Sequence, residues 1–201
     1  MEPLVEQKIQ DRKEQKRTLR LQALGRRDAL DPGYRAEASL AAARHGATIS
    51  FSPGTVISGF WPIRSEIDPR PLLFALGERG ARLCLPVVLD RETIRFRELL
   101  RDAPLVDTGF GTVGPGPEAP MVDPQLMLVP LAAFDSQGRR IGYGAGHYDR
   151  ALARLAEKRL RPLLIGFAFD CQEVAEVPDE PHDVRLHHML TESGLRAVVS
   201  A

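Results

Sequence analysis

The chain is short of what a disulfide-stapled, zinc-clustered or membrane-spanning protein needs. It has two cysteines in 201 residues, Cys84 and Cys171. Two thiols cannot build a disulfide framework, and without close-spaced partners they do not match a Cys-type zinc site. No stretch approaches the roughly 20 apolar residues of a membrane span. The opening MEPLVEQKIQDRKEQKRTLR lacks the apolar core of a signal peptide. Charge of one sign is also lacking, since 27 Lys and Arg balance 27 Asp and Glu. Whole-molecule attraction to nucleic acid or anionic membrane rests on excess positive charge, so neither is an expected partner. No GxSxG elbow, GxxxxGK[ST] loop or Cys-His pairing stands out, which disfavours covalent hydrolase and P-loop chemistry. A reducing, cytoplasmic setting and a monomeric state are the expectations.

What is present is ordinary globular composition, 43% apolar and 27% charged. The length suits a single domain, taken as residues 1–201. A helix is predicted from about Glu6 to Leu30, stopped by Asp31-Pro32-Gly33, and an Ala-rich helix from Tyr34 to His45 with Gly46 as its stop. From there the period changes. Thr55–Trp61, Arg82–Val88, Ile94–Glu98, Leu126–Pro130, Leu163–Phe169 and Ala197–Val199 are predicted strands. Asp68–Glu78, with Asp68 as N-cap, and Tyr148–Arg161 are predicted helices. The Pro- and Gly-rich Thr108–Pro124 is expected to be a loop. Apolar strands alternating with helices imply an α/β fold, a mainly parallel sheet covered on both faces, with the N-terminal helix as an appendage.

Four segments carry chemistry. In Arg139–Arg150 (RRIGYGAGHYDR) three glycines alternate just before a helix. Glycine admits sharp turns and close ligand approach, and a helix start offers free N–H groups and a positive dipole end, so the pattern suits a phosphate. The segment is not a GxGxxG, and a plain glycine turn is the alternative. Asp149 beside such a loop would repel phosphate unless a cation such as Mg²⁺ lay between them; helix capping is its other reading. The second segment, Pro178–His188, offers Asp183 as a hard-cation ligand beside Asp149, or a His/Asp transition-metal set of His182, Asp183, His187 and His188. The third is the basic face of the first helix, with Lys8, Arg12, Lys16, Arg20 and Arg27. Lys16 and Arg20, four apart, share a side that a polyphosphate could bridge or that solvent could simply cover. In the fourth, Gly59–Asp68, a strand ends at Trp61-Pro62 and Glu66 follows. Trp61 could stack on a flat ring and Glu66 could accept its N–H groups; a core Trp and a surface Glu are the alternative.

These segments, in this order, resemble the 5-formyltetrahydrofolate cyclo-ligase family. RIGYGAGHYDR (Arg140–Arg150) is similar to the family's R-L-G-x-G-x-G-[YF]-Y-D-R. KRTLR (Lys16–Arg20), SEID (Ser65–Asp68), HDVRL (His182–Leu186) and Thr191-Glu192 match its other signatures. The resemblance implies a three-layer α/β sandwich with a Rossmann-like sheet. It implies ATP- and Mg²⁺-dependent closure of 5-formyltetrahydrofolate to 5,10-methenyltetrahydrofolate, with release of ADP and phosphate. It puts Lys16, Arg20, Arg140 and the backbone of Ile141, Gly142, Tyr143, Gly144, Ala145 and Gly146 on ATP, with Lys16 and Arg140 as the catalytic cations. Asp149 and Asp183 would serve Mg²⁺. Trp61, Glu66, Tyr143, His147 and Tyr148 would surround the folate. The chain departs from the family's letters at Ala145, His147, His187 (usually Asp) and Gly114 (usually Glu). These departures leave room for a same-fold enzyme activating another formamide or carboxylate, or for a non-catalytic folate or nucleotide binder.

Overall fold

The computed structural model describes residues 2–109, 111–180 and 183–198, with side chains at Gln7 and from Gln10 onward. Two helices lead, α1 (Glu2–Asp28) and α2 (Pro32–Gly46). Asp31 caps the second, accepting from the N–H groups of Gly33 and Tyr34, with Pro32 in the first turn. Then follow β1 (Val56–Ser58), α3 (Arg70–Glu78), β2 (Arg82–Val88), β3 (Ile94–Glu98), β4 (Leu105–Gly109), β5 (Thr112–Pro115), β6 (Leu126–Val129), β7 (Ala133–Phe134), β8 (Arg140–Ile141), α4 (His147–Glu157), β9 (Leu163–Phe167), a 3₁₀ turn (Asp170–Gln172), β10 (His188–Thr191) and β11 (Gly194–Ala197).

Seven strands form one sheet in the order β11-β10-β9-β6-β1-β2-β3. The five central strands run parallel, and β3 and β11 are antiparallel edges. Successive side chains of a strand point to opposite faces. Ile57, Leu85, Leu126, Leu128, Ile165, Phe167 and Leu190 pack against Ala38 and Ala42 of α2 and Leu72, Leu73 and Leu76 of α3. Their neighbours Val56, Cys84, Met127, Val129, Leu164 and Met189 pack beneath Ala151, Leu152 and Leu155 of α4. Burial on both faces is why these strands read as continuous apolar runs, and it gives the three layers expected. The packing is close: a Cβ at Gly59, just after β1, would lie 2.4 Å from Leu73 Cδ1.

The differences from expectation are local. Thr108–Pro124 is not all loop, because β4 and β5 form a hairpin whose turn uses Gly109 and Gly111 at φ +87° and +76°. The strand placed at Ala197–Val199 is Gly194–Ala197, paired antiparallel with β10; Val199 lies outside the described residues. Asp68 is not the N-cap of α3. Pro69 holds that position, and Asp68 accepts from the Arg70 N–H.

Candidate functional site

The chain leaves β1 through α3 toward one side of the sheet and β6 through α4 toward the other. The order therefore reverses between β1 and β6, and the carboxyl ends of strands open there into a crevice. A cavity of about 350 Å³ occupies it, lined by Phe60 and Trp61 after β1, Pro130 after β6, and Pro86 and Val88 of β2.

The glycine loop forms one wall. Gly144 (φ +100°) and Gly146 (φ +65°) have left-handed backbone that favours glycine, whereas Ala145 is not among the positive-φ residues. Gly146 is the N-cap of α4 and no side chain caps the helix. The positive end of α4 thus meets the cavity with its first N–H groups uncovered by any side-chain acceptor. Asp149 lies in the first turn and is not the cap. Its carboxylate pairs with Arg140, whose guanidinium is nearly buried and also donates to the Val184 carbonyl. Arg139, by contrast, turns away to Asp135, Glu176 and Asp179 and does not flank the loop.

α1 lies across this wall. Lys16, Arg20, Ala23 and Arg27 fall on one stripe at helical spacing. Lys16 Nζ lies 2.7 Å from both Glu180 and Asp183. Burial disfavours its charge, but the hydrogen bonds and field of the two carboxylates outweigh this and hold its pKa above the usual lysine value. Arg20 Nε donates to the Gly142 carbonyl at 2.8 Å and its guanidinium lies over Gly144. Arg12 reaches the Asp179 carbonyl; the Lys8 side chain lies outside the described residues.

Asp149 and Asp183 both line the cavity. Two carboxylates suit Mg²⁺, which completes its octahedron with phosphate oxygens and water. Among the described residues no three His, Cys, Asp or Glu converge as a metal cluster. The transition-metal alternative finds no cluster among the described residues. His182 lies outside the described residues. His187 Nδ1 accepts the Leu164 N–H at 2.9 Å, extending the β9–β10 ladder. A carboxylate could accept the same bond. His188 has a buried, unpartnered Nδ1, and burial lowers its pKa.

The cavity lining is also aromatic. Trp61 is half-buried, with the Arg70 guanidinium 5.1 Å above its ring. Glu66 accepts from the Ile63 N–H at 2.8 Å and lies near the Tyr143 hydroxyl. Burial pushes the Glu66 pKa up, only partly countered by Tyr143, Ile63 and Arg27. The Tyr148 hydroxyl is buried with no hydrogen-bond partner, and burial raises its pKa. His147 Nε2 lies 2.9 Å from the Arg91 carbonyl.

Thus Trp61, Glu66, Arg140, Tyr143, His147, Tyr148, Asp149 and Asp183 share one cavity, while Lys16 and Arg20 reach it through Asp183 and the loop. Sequence reasoning missed Glu180, which shares Lys16, and Thr112 and Val113 of β5, which line the cavity. Gly114 is buried, and a Cβ there would lie 3.2 Å from Val87. Also missed was the role of Arg27, whose signal was its place on the Lys16–Arg20 stripe.

Known proteins resemble this chain in sequence and in fold. The family model for 5-formyltetrahydrofolate cyclo-ligases matches residues 12–192. The 5-formyltetrahydrofolate cyclo-ligase of Escherichia coli (strain K12) is 30% identical over 177 residues, covering 84% of this chain and 95% of that protein. The Haemophilus influenzae protein of that name is 31% identical over 140 residues, 67% of this chain and 74% of its own. The solved structure of Aquifex aeolicus 5,10-methenyltetrahydrofolate synthetase matches with a TM-score of 0.77 at 29% identity, covering 92% of this chain and 94% of that one. The chain is an enzyme of the ligase class, and it belongs to the 5-formyltetrahydrofolate cyclo-ligase family.

Proposed function

We propose that this enzyme converts 5-formyltetrahydrofolate to 5,10-methenyltetrahydrofolate, using ATP and Mg²⁺ and releasing ADP and phosphate. The observation that carries the reading is one cavity lined by two unlike sets of groups. One set is an uncapped helix start, glycine backbone, Arg140 and two carboxylates; the other is Trp61, Glu66 and two tyrosines.

The chemistry needs no protein nucleophile. A formamide carbon resists attack and its oxygen leaves poorly. The formyl oxygen attacks the ATP γ-phosphorus, and the bond from that phosphorus to ADP breaks. N10 of the folate then attacks the activated carbon and loses its proton. The C–O bond breaks with its electrons going to phosphate, which departs as the five-membered ring closes. Such transfer depends on positioning and charge neutralisation.

In this reading Arg20 and the backbone from Ile141 to Gly146 hold the polyphosphate, and Lys16 and Arg140 neutralise the transferring group. Mg²⁺ on Asp149 and Asp183 would neutralise phosphate charge. Each carboxylate is paired with a cation in the structure, Asp149 with Arg140 and Asp183 with Lys16. Binding therefore involves an exchange, with Lys16 and Arg140 turning from carboxylate to phosphate. Trp61 stacks on the folate ring, Glu66 accepts from its N–H groups, and Tyr143, His147 and Tyr148 complete the pocket. The unpartnered Tyr148 hydroxyl supports a ligand contact there.

The test is to mix the protein with 5-formyltetrahydrofolate and Mg-ATP and follow methenyl product by absorbance and phosphate release together. Product requiring all three components is expected. No product with ATP still bound would redirect the reading to another formamide or carboxylate. No product and no ATP binding would overturn the loop assignment.

A further inference from the structure

We propose that Arg27 is a positioning residue for the ring-binding end of the cavity: through Tyr143 it fixes Glu66 as a hydrogen-bond acceptor for the ligand. The inference rests on the reading that a reduced folate occupies that end. Arg27 is among the most buried large side chains, 2% exposed, although it sits on a helix that is otherwise mostly solvated. It does not line the main cavity, whereas Glu66 and Tyr143 do. Its Nε donates to Ser65 Oγ at 2.9 Å and its Nη1 donates to the Tyr143 hydroxyl, with the guanidinium 5.7 Å from the centre of that ring. Ser65 passes its own hydrogen to Asp28.

Donor and acceptor capacity orders the network. A guanidinium can only donate, so the Tyr143 oxygen accepts from it. The single phenolic hydrogen is left for Glu66, the carboxylate that shares the cavity lining with Tyr143. Glu66 then accepts from the Ile63 N–H and faces the Tyr143 O–H. A carboxylate offers about four lone-pair positions, so acceptor capacity remains for a ligand. The amino-pyrimidine edge of a reduced folate presents neighbouring N–H donors that match it.

Charge points the same way. A guanidinium stays ionised when buried and needs a counter-charge. Asp28 is 3.8 Å from Arg27 Nε but 60% exposed. Glu66 is the buried carboxylate that feels the Arg27 field. The ionisable groups facing Glu66 are Arg27 from α1, Tyr143 from the glycine loop and Tyr148 from α4. Arg27 is the cation among them and opposes the burial that favours protonated Glu66. Without it the Tyr143 hydroxyl loses its fixed orientation, and Glu66 gains a proton more readily and presents a donor where the ligand also donates.

The experiment compares the full chain with Arg27→Met and Arg27→Lys. Its readouts are equilibrium binding of 5-formyltetrahydrofolate and of ATP, measured separately, and the pH profile of kcat/KM for the folate. For Arg27→Met we expect folate binding and kcat/KM weakened about tenfold, the scale of one charge-assisted hydrogen bond. We expect ATP affinity within about twofold of wild type and an acid limb moved to higher pH. Arg27→Lys, which keeps the charge, should return the acid limb toward wild type. Unchanged folate binding with an unchanged pH profile, or equal losses for both ligands, would overturn the proposal and leave Arg27 as an anchor of α1. If Arg27→Met does not fold, Tyr143→Phe breaks the link with Arg27 in place; a wild-type folate affinity and profile there would overturn it equally. A wild-type enzyme that binds the folate but makes no product would refute the proposed reaction while the binding comparison still decides the role of Arg27. A wild type that binds no folate would sink both.

Discussion

Helices α1 and α4 bring charge to the same cavity, yet different forces fasten them. α4 is anchored by Ala151, Leu152 and Leu155, driven into the core beneath the sheet. Its outer edge adds His147, Arg150 and Arg154, which bind the carbonyls of Arg91, Glu92 and Ile94 in the β2–β3 hairpin. Along the described side chains of α1, only Ala23 and Arg27 are buried. Arg20, Arg26 and Arg27 instead donate to Gly142, to the carbonyls of Cys171 and Glu173, and to Ser65 and Tyr143, and Lys16 pairs with Glu180 and Asp183. On α4 the ligand-facing groups stand on an apolar anchor separate from them. On α1 two groups that would meet the ligand, Lys16 and Arg20, also help hold the helix down, beside Arg26, Arg27 and the small apolar contact of Leu19 and Ala23 with Ala133, Ile141 and Val177. Binding and docking are therefore separable on one helix and coupled on the other.

The largest effect expected is on α4. Asp149→Ala should lower Mg-ATP turnover by at least about a hundredfold, the scale of losing one preorganised charge contact in a transition state. Its circular dichroism and melting cooperativity should stay those of wild type, because the anchor is untouched. Near-normal turnover would remove Asp149 from the cation site. Leu155→Ala should do the converse. It opens a hole under α4 and costs about 2–4 kcal/mol of stability in denaturant titrations, with kcat retained well below the melting point. A kcat loss matching the stability loss would show that the two functions of α4 are not separable.

Lys16→Met should fail on both counts at once. The KM for ATP should rise about tenfold, and amide exchange in α1 should quicken while α4 keeps its protection. The ion pairs themselves contribute only about 1 kcal/mol, since both partners keep some solvent. A KM change with α1 exchange unaltered would break the coupling. The smallest effect is in pH. The folded pKa of Lys16 is raised, so its contribution is fully present below the unfolded lysine pKa of about 10.4 and is lost as pH rises through the higher folded value. The melting difference between wild type and Lys16→Met should hold steady to about pH 10 and close above it. A gap that closes near neutrality would assign the stabilisation to another group.

The central sheet was legible because buried parallel strands are written as short β-branched and aliphatic runs, such as Leu126–Val129 and Leu163–Phe167. β4 and β5 were not, because glycine and proline mark turns, and here two of the glycines make the turn inside a hairpin. β10 opens on a histidine and pairs with β9 through parallel bonds that no local pattern announces. Two-residue strands such as β7 and β8 exist only through their pairing. The site divides in the same way. Arg140 to Asp149 could be read because loop, helix start and carboxylate are contiguous in the chain. Lys16 and Asp183 could be matched to family signatures, but their direct pairing spans 167 positions. Arg27 and Tyr143 lie 116 positions apart, and nothing local to either one signals the bond.

The most direct test of the account is the fate of the formyl oxygen. 5-Formyltetrahydrofolate carrying a heavy-oxygen label on the formyl group would be turned over with unlabelled ATP in unlabelled water, and the released phosphate analysed by mass spectrometry. Activation by phosphoryl transfer predicts one labelled oxygen in each phosphate formed with the methenyl product. Product formed with the label in water and unlabelled phosphate would contradict it, and would mean that ATP is consumed without activating the formyl group.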